Sequence, residues 1–457
     1  MIEIGIFTTG CSDLPFKKSR NGIVVPDASL EEINESAQRV TNGQIRQAVL
    51  ADRLGYDYFW MSEHHFILEG SELSPNPLQS LTAIAALTKR IRLATAANII
   101  TWHHPLRLAE QIALLDIISG GRVEAGWGRG YQPRETETFG ATYGSSHFDQ
   151  ERNRQYFDEA FELIKTAWTN DLFEFHGDFY NVPPRWLKWG HPVTAEYFAS
   201  NDTGYDPADV IGPDEGEFEV SPVAFDENSY LRKLSSLPRP VQKPYPPLWQ
   251  LMVSPRSIQN AARHGFNGYF NLVQNEMLKE QIDSYMRLCE KYGWPDMLDR
   301  GEFKPGWDAE KHRGLVMGRW LHCVDKGVGN AEKFREGLRG IWNWYDPFGF
   351  GFLVNGQPLV PTSPEDLEAV GLSFIGSKDQ IIEGIMSIKN EVYPDSDFYF
   401  NCQFEGSGLT SEENEEQIQY FAEEIAPVLR RECGGGVDLP DSQVELIPEA
   451  AQAVAAG

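Results

Sequence analysis

The sequence predicts an α/β protein built as a (β/α)8 TIM barrel, with insertions after strand 4 and near strand 7. Three observations predict it. Short apolar runs rich in β-branched and aromatic residues alternate with amphipathic stretches, an order that implies a parallel sheet with helical crossovers. About eight such units can be counted along the 457 residues, which favours a closed barrel over an open doubly wound sheet. Polar, chemistry-bearing residues also gather where strands stop, the end at which parallel α/β proteins place their sites.

The elements follow in order. Ile2 to Phe7 reads as the first strand. A long helix pattern then runs to about Leu54, its register marked by Val40, Ile45, Val49 and Ala51. The second strand lies near Tyr58 to Met61, and Pro77 opens a helix through Leu87. Ile91 to Thr95 is the third strand. Pro105 starts a helix through Ile118, closed by Gly120 and Gly121, and Arg122 to Gly126 is the fourth strand. The alternation resumes with a strand at Leu248 to Val253, a helix from Pro255 to about His264, and a short strand at Phe266 to Phe270. Leu315 to Val324 and Phe398 to Phe404 read as strands, and an acid-capped helix runs from Glu412 to about Arg431.

This reading makes residues 1–433 one domain. Within it, residues 172–246 form an acidic insertion, and no Lys or Arg occurs from Trp189 to Leu231. Such a run is solvated loop or, on a barrel, a lid. A stretch near 343–370, with Trp344, Tyr345, Phe348, Phe350 and Phe352 among glycines, reads either as a mobile loop closing over a substrate or as a packed surface loop. The Gly-rich, then Ala-rich segment 434–457 reads as a disordered tail.

Composition excludes several functions. A net charge of -27 repels phosphate, which argues against nucleic-acid and anionic-membrane partners. No stretch approaches a membrane span, and the acid-bearing first strand is unlike a signal peptide, so a cytoplasmic protein is expected. The five cysteines are scattered with no CxxC pair, which suggests reduced thiols and neither a zinc ribbon nor a disulfide framework.

Four constellations carry chemistry. Glu63-His64-His65 closes the second strand, where burial is costly for polar groups without partners. Successive side chains on a strand face opposite ways, so the two histidines do not easily share a metal. One reading has them bonding carbonyls at the barrel top. The other makes His64 a general acid or base oriented by Glu63. Thr95-Ala96-Ala97-Asn98 ends strand three with small residues, which are either packing or a seat for a flat ligand. Gly126-Trp127-Gly128-Arg129-Gly130-Tyr131 offers alternate glycines and a guanidinium to an anion, without the GxGxxG spacing or a Walker lysine. Ser254, before Pro255 at a helix start, is a helix N-cap in its simplest role. With Ser257 it equally makes a phosphate cradle.

These segments together resemble the luciferase-like flavin-dependent monooxygenases, the family of the bacterial luciferase subunits. The resemblance is carried by Gly55 to Phe66, Thr95-Ala96-Ala97, His104 to Gln111, and Leu114 to Arg122 leading into Gly126 to Gly130. It implies a barrel that binds reduced FMN (FMNH2) at the C-terminal mouth of its strands. The flavin would react with O2 at C4a to a (hydro)peroxide that oxygenates a small organic substrate. His64 falls on the catalytic, proton-handling histidine and Glu63 beside the isoalloxazine ring. Ala96-Ala97, with Asn98 following, falls on the pair whose peptide is cis in relatives and lies against that ring. Gly128, Arg129, Gly130, Ser254 and Ser257 fall on the cofactor loops, with Arg129 and the serines at the phosphate. The aromatic supply at Trp102, Trp127, Tyr131, Trp344 and Phe348 points to an apolar or aromatic substrate. The resemblance further implies a separate flavin reductase and a homodimer. Gly128 stands where luciferase has a reactive cysteine and Val253 where it has a glutamate, which argues against light emission but not against flavin binding. The rival within the superfamily is a deazaflavin-dependent hydride-transfer oxidoreductase, and the rival outside catalysis is a flavin-binding partner subunit.

Overall fold

The computed structural model describes residues 1–21, 24–140, 145–189, 191, 211–212, 225–226, 230–271, 273–295, 301–325, 327–345, 352–354, 357–359 and 363–434. Eight parallel strands close into a barrel: β1 (Ile2–Thr8), β2 (Tyr58–Met61), β3 (Arg92–Thr95), β4 (Val123–Gly128), β5 (Leu248–Leu251), β6 (Asn267–Phe270), β7 (Arg313–Cys323) and β8 (Phe398–Gln403). Closure is made twice over, by Trp249 of β5 opposite Gly126 of β4 and by Ile2 of β1 opposite Phe398 of β8. The expected barrel is therefore present, with strand edges within a few residues of the expected ones. Three further short strands join the sheet, Asn98–Ile99 beside β4, Trp307–Asp308 antiparallel to β7, and Ser373–Gly376 parallel to the upper half of β7, additions that the sequence reading missed.

Strand alternation decides what fills the barrel. Tyr58 and Trp60 of β2, Trp249 of β5, Tyr269 of β6 and Tyr399 of β8 form one buried aromatic cluster with Phe7 and Trp307. Their rings meet edge to face or offset, as Trp60 on Trp249 at 5.1 Å and Tyr58 on Tyr399 at 4.3 Å. Polar groups buried with them are paired. Arg92 binds Glu124, the Trp249 indole also donates to Glu124, and the Trp307 indole and Tyr58 hydroxyl donate to Glu3. At the foot of the barrel, Tyr58 also lies 3.0 Å from His312 Nδ1.

The helices start where the sequence places caps. Helix α1 (Leu30–Leu54) has a capping box between Ser29 and Glu32 and ends at Gly55, whose φ of 80° requires the left-handed conformation glycine supplies. Helix α2 (Pro77–Leu87) is capped by Asn76, and α3 covers Pro105–Ser119. One expectation is corrected on α1. Its inner face includes Gln44 and Gln47, while Ile45 and Val49 are only half-buried. The glutamines are tolerated inside because they find partners, Gln44 donating to Thr8 Oγ1 and Ser74 Oγ at 2.8 Å each. The C-terminal helix is also not continuous. It runs Ser411–Tyr420, widens to a π-turn over Phe421–Ile425, and resumes over Ala426–Glu432. Pro427 lacks the N–H that an unbroken ladder needs there.

The described residues divide into two compact units. The first, Met1–Asn98, Ile118–Gly128 and Pro246–Gly457, holds all eight barrel strands. The second is Ile99–Ile117 with Arg129–Tyr245, and takes in most of the expected insertion after strand 4. Its centre is the helix Gln150–Thr169, which buries Tyr156, Phe157, Phe161, Ile164 and Trp168. Much of the acidic stretch between 190 and 229, the segments 346–351 and 360–362, and the tail 435–457 lie outside the described residues. Among the described residues no helix is long and apolar enough to cross a membrane.

Candidate active site

The C-terminal mouth of β1, β2 and β8 holds buried polar groups, among them Thr8, Gln44, Glu63, Glu72 and Glu405. β1 ends at Thr8, whose hydroxyl donates to Glu405 just past β8. The other Glu405 oxygen accepts the backbone amides of Thr9 and Gly10 at 2.8 and 3.0 Å. Burial raises the Glu405 carboxyl above its ordinary value, against the pull of these donors. Burial, and then the nearby Glu405, raise the Cys11 thiol in the same way. Phe7, Thr9, Cys11, Trp320, Ile341, Tyr345, Gln403 and Glu405 line a narrow cleft here, whose cavity volume of about 10 Å³ is close to that of a single water.

β2 runs into the expected Glu63-His64-His65, and the structure separates the three. His65 Nε2 lies 3.5 Å from Glu63 Oε1. His64 Nε2 lies 3.3 Å from Glu72 Oε1, with the side chain 10% exposed. A carboxylate that the sequence reading did not name, Glu72, therefore stands beside His64. Glu72 is buried, has a positive φ of 59°, and also accepts the Tyr345 hydroxyl. The loop that brings it back is tied by His64 N to Ser74 O at 3.0 Å and Leu73 N to Gly10 O at 2.8 Å.

After β3 the Ala96–Ala97 peptide is cis, the geometry the resemblance implied for this pair, and both alanines are buried. Asn98 is spent locally, its amide donating to Thr95 Oγ1 at 2.8 Å and Gly126 O at 3.2 Å. Gly126 sits against Thr95 so closely that a Cβ would overlap the Thr95 carbonyl. Gly128 ends β4 and is half-buried. Trp127 is fully buried and alternates with the inward Glu124, so its ring faces away from the barrel axis and does not join the mouth.

After β5, Ser254 caps the helix Pro255–His264 in a reciprocal box with Ser257. Ser257 Oγ accepts the amides of Val253 and Ser254 at 3.0 Å each and donates to Ser254 O at 2.8 Å. Both serines remain half-exposed at the positive end of the helix.

In the second unit, Arg129 donates to Asn153 Oδ1 at 2.8 Å and its carbonyl accepts from Thr101 Oγ1 at 2.9 Å. Gly130 has φ 74°, and a Cβ on it would come within 3.0 Å of the Trp102 ring. Trp102 is buried against this turn and Phe139. Tyr131 is half-buried, its hydroxyl accepting from Gln132 at 3.3 Å. The side chain of Trp344 and the whole of Phe348 lie outside the described residues. The sequence reading missed Glu72, Glu405 and Gln44, which lie on loops and a helix face without periodic signal; Tyr345 it named only as part of a possible loop over the substrate.

Comparisons with known proteins agree with this geometry. Residues 21–203 match the family model described as luciferase-like monooxygenase. An uncharacterized protein of Sinorhizobium fredii is 30% identical over 33% of this chain, and a second is 30% identical over 38%. The matched regions span only 40% and 52% of those relatives' own lengths. The oxygenase component of the flavin-dependent trigonelline monooxygenase of Acinetobacter baylyi is 21% identical over 86% of this chain and 91% of its own. Among solved structures, the oxygenating constituent of 3,6-diketocamphane monooxygenase of Pseudomonas putida, in complex with FMN, superposes with a TM-score of 0.59 at 20% identity. That match covers 93% of this chain and 98% of the other. An F420-dependent secondary alcohol dehydrogenase superposes with a TM-score of 0.56 at 15% identity over 94% and 99%. Residues 21–203 of this chain thus resemble the luciferase-like monooxygenase family, and its closed eight-stranded parallel barrel is the fold of the solved structures it superposes with.

Proposed function

We propose that the protein is the oxygenase of a two-component flavin-dependent monooxygenase. It would take reduced FMN from a separate reductase and oxygenate a small apolar or aromatic substrate, working as a homodimer in the cytoplasm. The observation that carries the reading is the imidazole of His64, nearly buried at the C-terminal barrel mouth and held by a carboxylate. Oxygenase chemistry needs a proton donor and acceptor working near neutral pH in a water-poor site, and histidine is suited to that.

The residues present fit FMN. Ala96 and Ala97 present only methyl groups and backbone at the end of β3, a seat for a flat ring. Ser254 and Ser257 offer hydroxyls at the positive end of a ten-residue helix, suited to a phosphate. Glu63, Asn98 and Gly128 are proposed along the ring, and Arg129 with Gly130 as further cofactor contacts. Trp102 and Tyr131 are kept as substrate-facing candidates. Trp127 is set aside, because it faces away from the barrel axis. When bound, reduced FMN supplies the electrons and the centre that reacts with O2. The chain's own part is to orient the ring, exclude water with buried mouth residues, and hold or move a proton at His64.

The flavin-dependent oxygenase component among the relatives and the FMN-bound oxygenating constituent of the same fold favour FMN, whereas the F420-dependent dehydrogenase of the same fold keeps hydride transfer as the second reading. A titration separates them. FMN is expected to bind and the deazaflavin not; the reverse result rejects the monooxygenase. His64→Ala is expected to keep flavin affinity and lose coupled substrate oxygenation by about 100-fold or more. Unchanged coupled turnover would remove His64 from the mechanism. Arg129→Ala is expected to weaken FMN far more than riboflavin, and equal weakening of both would mark a structural arginine.

A further inference from the structure

We propose that Glu72 is the positioning residue for His64: its carboxylate accepts a hydrogen bond from the Nε2–H of the imidazole and leaves Nδ1 as the nitrogen that exchanges protons at the site. This rests on the reading of His64 as the proton-handling group. The sequence neighbour Glu63 pairs instead with His65, at 3.5 Å from its Nε2.

Three observations point to Glu72. Its Oε1 lies 3.3 Å from His64 Nε2, and both groups are withdrawn from water, at 1% and 10% exposure. A buried carboxylate is stable only when donors meet it, and here the Tyr345 hydroxyl and the imidazole converge on the same oxygen. Tyr345 thereby also holds Glu72, from the last turn of the helix Ala331–Tyr345. Finally, the backbone is bent for the purpose. Glu72 is one of few non-glycine residues with positive φ, and the bonds His64 N to Ser74 O and Leu73 N to Gly10 O close the loop that returns its side chain to the ring.

The chemical consequence is a choice of tautomer. A carboxylate accepts only from a nitrogen that carries hydrogen, so Glu72 selects Nε2–H in the neutral ring. Nδ1 then holds the lone pair that can take a proton and later return it. The carboxylate also stabilises the imidazolium formed in between, without itself becoming protonated. Glu72 is thus expected to act on rate through His64, with no contact to substrate required.

The test reads the ring directly, in flavin-free protein. Histidine labelled with nitrogen-15 is examined by NMR at about pH 8, where an ordinary imidazole is neutral. The His64 signal is assigned by its loss in His64→Ala. The expected wild-type pattern is a protonated Nε2 and a bare Nδ1; a protonated Nδ1 overturns the proposal without any further variant. Glu72→Leu is expected to abolish the preference, and Glu63→Gln to leave it intact. Unchanged His64 nitrogen shifts in folded Glu72→Leu would overturn it too. In turnover with reduced FMN, Glu72→Leu is expected to lower coupled oxygenation about tenfold or more, and to add nothing in the His64→Ala background. Wild-type turnover by Glu72→Leu rejects the positioning role. Wild-type turnover by His64→Ala rejects the function assigned to His64, and leaves the tautomer result standing as a separate fact.

Discussion

Ser254 and Ser257 show how one residue pair can serve structure and ligand at once. Their hydroxyls close the capping box of the helix Pro255–His264 and face the end where helix amides favour an anion. The two roles have different readouts. Ser254→Ala removes the cap and is expected to lower the stability of the flavin-free protein by about 1 kcal/mol, measured by urea unfolding. If the hydroxyl also meets phosphate, the same variant weakens FMN and leaves riboflavin unchanged. A loss shared equally by both flavins would leave the cap as its whole function. Gly130 makes a contrasting case in the second unit. Its φ of 74° and the 3.0 Å approach to Trp102 leave no room for a methyl group, so Gly130→Ala is expected to cost about 1–3 kcal/mol. A thermal shift within error of wild type would show that the turn relaxes freely.

At the scale of elements, the strand ends were legible in the sequence and the loop partners were not. The run Tyr58 to Met61 and the small residues after Thr95 carry their meaning in local pattern. Even the outward direction of Trp127 was available, because it alternates with Gly126 and Gly128. Glu72 was not available, since nothing periodic links a loop carboxylate to a histidine eight residues earlier; backbone bonds to Gly10 and Ser74 make that link. Gln44 was hidden because a polar residue on an inner helix face reads as exposed until its partners are known. The foot of β1 adds a charge effect that only packing shows. Burial, and then the nearby Asp57, push the Glu3 carboxyl up to about 8, although the Trp307 indole and Tyr58 hydroxyl pull it down. A carboxyl raised from 4.5 in this way binds a proton on folding, so its stabilising contribution is complete below about pH 4.5 and is lost as pH rises through about 8. Glu3→Gln keeps an acceptor for both donors and removes the titration. The variant is expected to show a stability difference between pH 5 and pH 8 smaller than wild type by at least about 1.4 kcal/mol, one pKa unit. Parallel stability–pH curves for the two proteins would move the effect to another group.

At the scale of the whole molecule, a net charge of -27 sets a field that the proposed cofactor must cross. FMN carries a phosphate dianion, and riboflavin does not. At about 10 mM ionic strength the Debye length is about 30 Å, so an approaching phosphate senses most of the protein's acids at once. At about 150 mM it is about 8 Å, and only groups near the mouth are felt. Two opposing terms are therefore separable by salt. The distant acids repel FMN and are screened early. The amides and hydroxyls at Ser254 attract it at short range and survive screening better. The association rate of FMN measured by stopped flow is thus expected to rise by several-fold between the two ionic strengths, while that of riboflavin stays flat. The dissociation rate should change less, because the bound phosphate is held by contacts inside the screening length. A fall in the FMN association rate with salt would mean that local positive potential already governs capture from a distance, and that the acids, though many, lie too far from the approach to matter.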